Sequence, residues 1–358
     1  MTRLRIAVIG LGWWSSMVHL PALTVNPAAE VVAVCDPSPE RRQHAMDTFD
    51  IKDSYADVDD LLAAGVADAV LVATPHSTHA PIVSRCLEAG LDVLVEKPMA
   101  TTAEQAWALV EVAARTGRRL SVGLTYQYAA TASRIRQAVR TELGELVCVN
   151  AEFSSATLPL FAMTDPAEMS ADPNAAHGST YSDPATGGGQ AHSQLTHLLG
   201  AVLWAAGDQA REVTAFMDNR GLAVDVVDAL AFRLSGGALG VASSTGTTPA
   251  GVPPRHRLRF HGIRGMVEWD MLRATASIFT DRGTEILEPP PHLPAYPRTG
   301  VSADFVAMIV DGGPNRAPAD VAAAGVALIE AAHASARSGR VAEVTQGRLE
   351  SISTGTSG

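Results

Sequence analysis

The stretch LRIAVIGLGWWS, Leu4–Ser15, decides how the chain is read. A run of strand-forming residues ends at Gly10, and Gly10, Gly12 and Ser15 then stand in the spacing G-x-G-x-x-G, with serine in the third place. Glycine at the first two positions allows a tight turn and lets backbone amides approach a pyrophosphate, whose charge is favoured by the N-terminus of the following helix. The third position governs how closely helix and strand pack, and serine is small enough. An ordinary strand-to-helix turn would use the same residues, so the motif depends on its surroundings. Two arginines before the apolar run mimic a signal peptide, but Gly10 and Gly12 interrupt the run and no small-residue cleavage site follows. The stretch is read as a first β-strand and its turn.

The next apolar run, EVVAVCD, ends in Asp36, 24 residues after Gly12. An acid at that place accepts hydrogen bonds from both hydroxyls of a ribose and repels a 2′-phosphate, which favours NAD over NADP. Arg41 and Arg42 would soften that preference. Trp13 and Trp14 either cover the diphosphate or pack in the interior. Beyond Asp36 the rhythm repeats: ADAVLVATP, LDVLVEKP and RRLSVGL are continuous apolar strands, separated by helical periodicity over Thr78–Ala89 and Thr102–Thr116. Strands that are apolar throughout are covered on both faces, as in a parallel sheet with helices on each side.

After Gly123 the texture changes. A helix is expected over Ala132–Leu143, followed by longer, alternating strands (LVCVNAEFSS, REVTAFMDN, VDVVDALAFRLSGGALGVASSTG, HRLRFHGIRGMVEWD) that suit a mainly antiparallel sheet packed on helices along one side. Two loop-rich tracts, Thr164–Gly189 and Glu288–Gly300, read as binding loops or lids, and an alanine-rich helix is expected over Asp320–Ser338. The expected organisation is a parallel Rossmann-type domain over residues 1–122, an α/β domain with a large open sheet over 123–348, and a disordered tail over 349–358.

Composition narrows the function classes. Of 358 residues 47% are hydrophobic and the net charge is −11, with no cationic run, so a nucleic-acid partner is not expected. No apolar stretch reaches the ~18 residues of a membrane span. Cys35, Cys86 and Cys148 are odd in number, widely spaced and without metal-ligand spacing, as for buried thiols in a reducing, cytoplasmic compartment; no metal site is expected.

At ATPHSTH (Ala73–His79) and VEKP (Val95–Pro98) the chain resembles the Gfo/Idh/MocA family of oxidoreductases, and the likeness runs through ATPHSTHAPIVSRCLEAGLDVLVEKPMATT, the glycine triplet and the region from Phe305 to ASARSGR. The resemblance implies NAD(P)-linked chemistry on sugars, polyols and related compounds. It also implies that Thr74 and Pro75 line the dinucleotide, that Glu96 lies near the nicotinamide ribose, and that Lys97 reaches cofactor and substrate together. The ammonium of Lys97 would polarise a reacting oxygen and stabilise alkoxide charge. His76 and His79 are expected either to touch the cofactor or to order the loop. A homodimer or homotetramer paired through the open sheet is implied as well.

The segment GGGQAHSQLTH, Gly187–His197, lacks an acid where many members of the family carry an aspartate: Ser193 stands there, and His197 matches the histidine four residues on. An α-helical step of about 100° per residue puts Gln190, Ser193, Gln194 and His197 on one face, with Ala191, Leu195, Leu198 and Leu199 opposite and His192 toward the apolar side. His197 is then the acid/base, with Gln190, Ser193 and Gln194 gripping a hydroxylated substrate and Tyr126 and Tyr181 as further contacts. The expected activity is hydride transfer between nicotinamide and a hydroxyl or carbonyl carbon of a sugar, polyol or glycoside-derived compound. Two alternatives remain at this point: NAD-assisted glycoside cleavage through transient oxidation, and a non-catalytic, NAD-responsive regulator.

Overall fold

The computed structural model describes residues 3–163 and 178–349. The first half builds a parallel sheet from β1 (Leu4–Ile9), β2 (Ala29–Cys35), β3 (Asp53–Tyr55), β4 (Ala69–Val72), β5 (Asp92–Val95) and β6 (Leu120–Val122), in the order β3-β2-β1-β4-β5-β6. Helices α1 (Leu20–Thr24), α2 (Pro39–Phe49), α3 (Val58–Ala64), α4 (His76–Glu88) and α5 (Ala103–Thr116) alternate with the strands. β4, β5 and β6 are buried at every position, which explains their unbroken apolar sequences. The helices start where the side-chain chemistry asks: Ser38 accepts the Arg41 N–H ahead of Pro39, and Thr102 accepts the Gln105 N–H. Strand order reverses between β1 and β4, so the crevice beyond their carboxyl ends is where such a sheet leaves room for a ligand.

The second half adds α6 (Ala132–Thr141), β7 (Leu146–Ser154), α7 (Leu158–Ala162), α8 (Gly178–Ser182) and α9 (Thr196–Ala206). Six further strands follow: β8 (Ala210–Asp218), β9 (Val227–Leu234), β10 (Leu239–Thr245), β11 (His256–Gly262), β12 (Gly265–Asp270) and β13 (Thr275–Thr280). The chain then forms β14 (Gly283–Leu287), α10 (Gly300–Val310), α11 (Ala319–Ser338) and β15 (Ala342–Glu343). The strands pair as β14-β13-β12-β11-β7-β10-β9-β8-β15, antiparallel except for β7 with β10. In β9 and β10 buried and exposed residues alternate, as one covered face requires. α9 packs on β7 and α11 on β8, while Phe216, Leu239 and Val241 lie exposed on the strands. α11 also packs along α5 and so joins the second sheet to the first. The tail beyond Leu349, and residues 165–177 of the loop expected to wall a substrate, lie outside the described residues.

Candidate active site

Gly10 follows β1 with φ +90°, and a Cβ there would lie 2.5 Å from the Ala73 carbonyl oxygen, so the turns after β1 and β4 touch with no space for a side chain. Gly12 is different: a Cβ added there meets nothing within 4 Å. That open backbone, next to a buried Ser15 Oγ with no partner among the described residues, fits the approach of a phosphate. Thr74 and Pro75 form the opposite bank, the Thr74 methyl lying against Gly10 and Pro75 opening α4. Asp36 is buried, and its carboxylate accepts the Leu11 and Ser38 N–H groups at 2.9 Å each. The acid therefore first ties two loops together; about two of its four lone-pair positions remain for ribose hydroxyls. Arg41 Nη1 stands 3.9 Å from the carboxylate, whereas Arg42 donates to the Asp36 carbonyl.

At the end of β5, Glu96 Oε1 accepts from Trp14 Nε1 (3.1 Å) and meets His19 Nε2 (2.9 Å), while Oε2 accepts the Lys97 N–H (3.1 Å). His19 Nδ1 is in turn held by Ser302 Oγ at 2.7 Å. Burial alone would raise the Glu96 pKa, but the hydrogen bond and charge of His19, with Lys97, outweigh it and keep the carboxyl below its usual range. Trp14 is thus fixed by Glu96 through its ring N–H, and Trp13, tilted against it at 5.4 Å, remains 42% exposed. Lys97 Nζ crosses to the second half and donates to the Ser193 carbonyl at 2.8 Å. Burial lowers the ammonium pKa and the Glu96 charge opposes that.

The histidines of α4 order the chain around the turn. His79 is fully buried, with Nδ1 2.8 Å from the Pro98 carbonyl and Nε2 2.8 Å from the Thr74 carbonyl, so neither nitrogen is free for a ligand. His76 Nδ1 lies 2.9 Å from the Gly187 carbonyl; a carbonyl only accepts, so this nitrogen carries the proton. The ring also meets Tyr181 edge-on at 5.7 Å. His76 bridges the two halves, and burial followed by the Lys97 charge keeps its pKa well below the ordinary value.

The segment after the glycine triplet departs from the α-helical expectation. Ala191–Leu195 forms a π turn before α9 begins at Thr196, so the assumed angular step does not hold there. Gln190 is completely buried: its amide donates to Ser244 Oγ at 2.8 Å and Ser155 Oγ at 3.3 Å, and its Oε1 accepts from Thr157 Oγ1 at 2.9 Å. It cross-links the structure: both amide N–H groups and one of the two Oε1 lone pairs are taken, and the side chain is fully buried. Ser193 is buried with Oγ unpartnered among the described residues, and Gln194 is half-buried. His192 packs away from this side, stacked on His333 with ring centroids 5.4 Å apart. His197 is 8% exposed, and its Nδ1 also lacks a partner among the described residues. Burial first, then the charges of Lys97 and His256, hold its pKa well below 6.5, so the ring is neutral at pH 7.

The Tyr126 side chain is engaged by two histidines. Its ring stands edge-on to His197 at 5.7 Å, but its O–H donates to His256 Nδ1, because His256 Nε2 faces the Ser154 carbonyl at 3.1 Å and must keep its own proton. Tyr296, from the proline-rich tract, packs on Tyr126 at 5.3 Å. His19, Ser302, His256 and Tyr296 were not among the residues expected from sequence. Each reaches the site only through the tertiary fold, and no local spacing announces it.

Residues 4–124 match the family profile described as the oxidoreductase family, NAD-binding Rossmann fold, and residues 133–268 match the GFO/IDH/MocA C-terminal domain. The chain belongs to the Gfo/Idh/MocA oxidoreductase family. Inositol 2-dehydrogenase of Arthrobacter sp. (strain FB24) is 35% identical over 159 residues, which is 44% of this chain and 47% of that protein. D-glucoside 3-dehydrogenase of Escherichia coli (strain K12) is 31% identical over 41% of this chain and 42% of its own. The matches thus span about half the length of these curated relatives. A solved levoglucosan dehydrogenase, in complex with NADH and levoglucosan, shares the fold with a TM-score of 0.79 at 19% identity, covering 96% of this chain and all of that one. Lys97 lies in the run Glu96-Lys97-Pro98, and Ser193 and His197 follow the glycine triplet.

Proposed function

We propose that this chain is an NAD-dependent dehydrogenase or reductase acting on a CH–OH or carbonyl carbon of a sugar, polyol or glycoside-derived compound. The observation that carries the reading is the bond from Lys97 Nζ to the Ser193 carbonyl, one helical turn before a buried, neutral His197 whose Nδ1 has no partner among the described residues. The groups that would hold the dinucleotide fit it: an open backbone at Gly12, the unpartnered Ser15 Oγ, the Thr74–Pro75 bank, and the Asp36 carboxylate for the ribose. Bound NAD would supply the hydride acceptor or donor. The chain's own part is then acid–base and electrostatic work. Lys97 has two further N–H donors to aim at a substrate oxygen and offset the negative charge that grows there. The neutral imidazole of His197 can take the hydroxyl proton in oxidation and return it in reduction. Asp36 favours NAD over NADP through repulsion of a 2′-phosphate, and Arg41 beside it moderates the preference.

The test is NADH formation, followed by fluorescence, over a panel holding myo-inositol, simple glucosides and levoglucosan, with NAD and NADP compared. Turnover that disappears in Lys97→Met supports the reading. No NADH across the panel, or tightly retained NAD with sugar release and no net NADH, overturns it, the latter in favour of oxidation-assisted glycoside cleavage.

A further inference from the structure

The glycine triplet leads into a segment that lacks its own acid, and the fold brings one from elsewhere. Asp225 lies just before β9, 9% exposed. Its Oδ2 accepts the Ala191 N–H at 2.7 Å and its main-chain oxygen accepts the Gln190 N–H at 2.9 Å. Its Oδ1 occupies the space that a Cβ on Gly189 would need, so glycine at 189, already at φ +97°, is the counterpart of this carboxylate. His333 Nε2 stands 3.8 Å from Oδ1, and Asp228 lies close enough that burial and the Asp225 charge push its own carboxyl well above the ordinary range. Burial raises the Asp225 pKa and the Ala191 N–H, with the His192 charge, opposes that; the carboxyl group thus caps the first N–H of the Ala191–Leu195 turn.

We infer that Asp225 is a positioning residue for the chemistry proposed above: by holding the first amides of the segment it fixes the Ser193 carbonyl where the Lys97 ammonium meets it. The inference rests on Lys97 and His197 being the working pair. Asp225 itself touches neither the Lys97 ammonium nor the His197 ring. It acts through the turn: Ala191 is anchored, and Ser193, two residues on, presents its carbonyl at 2.8 Å from Nζ. Released from that anchor, the turn can relax toward a regular α-helix, and the carbonyl then swings away from Lys97.

The experiment uses the full chain and the variants Asp225→Ala and Asp225→Asn. Its first readout is the rate of Lys97 acylation by acetic anhydride at pH 8, followed by mass spectrometry against exposed lysine Lys52 as internal standard. The expected result is at least a threefold change in Lys97 labelling in Asp225→Ala, near-wild-type labelling in Asp225→Asn, whose amide oxygen still accepts the Ala191 N–H, and NADH affinity within twofold in both. With any substrate turned over in the panel, kcat should fall at least tenfold in Asp225→Ala at constant KM for NAD. Unchanged Lys97 labelling and kcat, with only the melting temperature lowered, would make Asp225 a structural cap and overturn the inference. If Asp225→Ala does not fold, Asp225→Leu, which keeps the buried bulk and removes both acceptor oxygens, takes its place under the same criteria. The labelling needs no turnover, so failure of the dehydrogenase reading and failure of the Asp225 inference remain distinguishable.

Discussion

The two glycines of the first turn should separate folding from cofactor binding when each is replaced by alanine. At Gly12 the added methyl enters open space and the backbone is not in the left-handed region, so Gly12→Ala should stabilise the protein without ligand by about 0.4–1 kcal/mol through the unfolded chain's lost freedom. For a chain of 358 residues that is a rise of roughly 0.5–1.5 °C in melting temperature. The same methyl stands where a phosphate must approach the backbone. Loss of one charge-assisted hydrogen bond there costs about 1.5–3 kcal/mol, which is roughly a 10- to 150-fold weaker Kd for NAD. Gly10→Ala is the opposite case, because φ +90° and a Cβ 2.5 Å from the Ala73 carbonyl oxygen strain the folded state itself. A loss of at least about 2 kcal/mol is expected. NADH fluorescence titration and thermal unfolding with and without NAD measure both effects. Wild-type NAD affinity in Gly12→Ala would refute the placement of the pyrophosphate on this loop, and a lowered melting temperature without ligand would refute the open-space argument.

Lys97→Met should lower turnover by about 10²- to 10⁴-fold, far more than it weakens NADH binding, since the partner of the reacting oxygen is removed while Gly12, Asp36 and the Thr74–Pro75 bank remain for the dinucleotide; initial rates and NADH titration check this. His19→Ala leaves the Glu96 carboxylate without its strongest partner, and about 3 kcal/mol of stability should be lost, read from denaturant unfolding. His76, His79, His192, His197, His256 and His333 all have pKa values pulled down by burial, so protons bind more readily to the unfolded chain, and stability should fall as pH drops below 6.5. His256 alone, pushed down from 6.5 to about 4, contributes about 3 kcal/mol of that loss below pH 4 and about 2 kcal/mol by pH 5; a stability profile that is flat between pH 7.5 and 5 would contradict it.

The parallel half of the fold was legible because its physics is local. Strands buried on both faces must be apolar throughout, and Gly10, Gly12 and Asp36 occur where a strand ends and a turn has to be made. The second sheet was legible for the same reason in its alternating form, down to the exposed and buried faces of β9 and β10. What failed was angular. The 100° step placed Gln190 on the face of His197, but the π turn at Ala191–Leu195 changes the advance per residue, and Gln190 turns instead into a knot of Ser155, Thr157 and Ser244. Nor could spacing show that His79 is held at both nitrogens by carbonyls, since Pro98 and Thr74 meet it only once β4 and β5 lie side by side.

The replacement of an acid by Ser193 has a clear electrostatic result. A carboxylate at that position would neutralise the Lys97 ammonium and raise the proton affinity of His197; with serine, the ammonium rests on a neutral carbonyl, and the neighbouring Glu96 already serves Trp14, His19 and the Lys97 amide. In the proposed chemistry Lys97 then has two N–H donors left for an incoming oxygen. His197, pressed by the same charge and by burial, stays neutral and able to accept a proton. In the proposed chemistry the two roles that an aspartate would blur are divided between two side chains, and the carboxyl group nearest the segment is that of Asp225, on the far side of the turn, where it accepts the Ala191 N–H away from the ammonium.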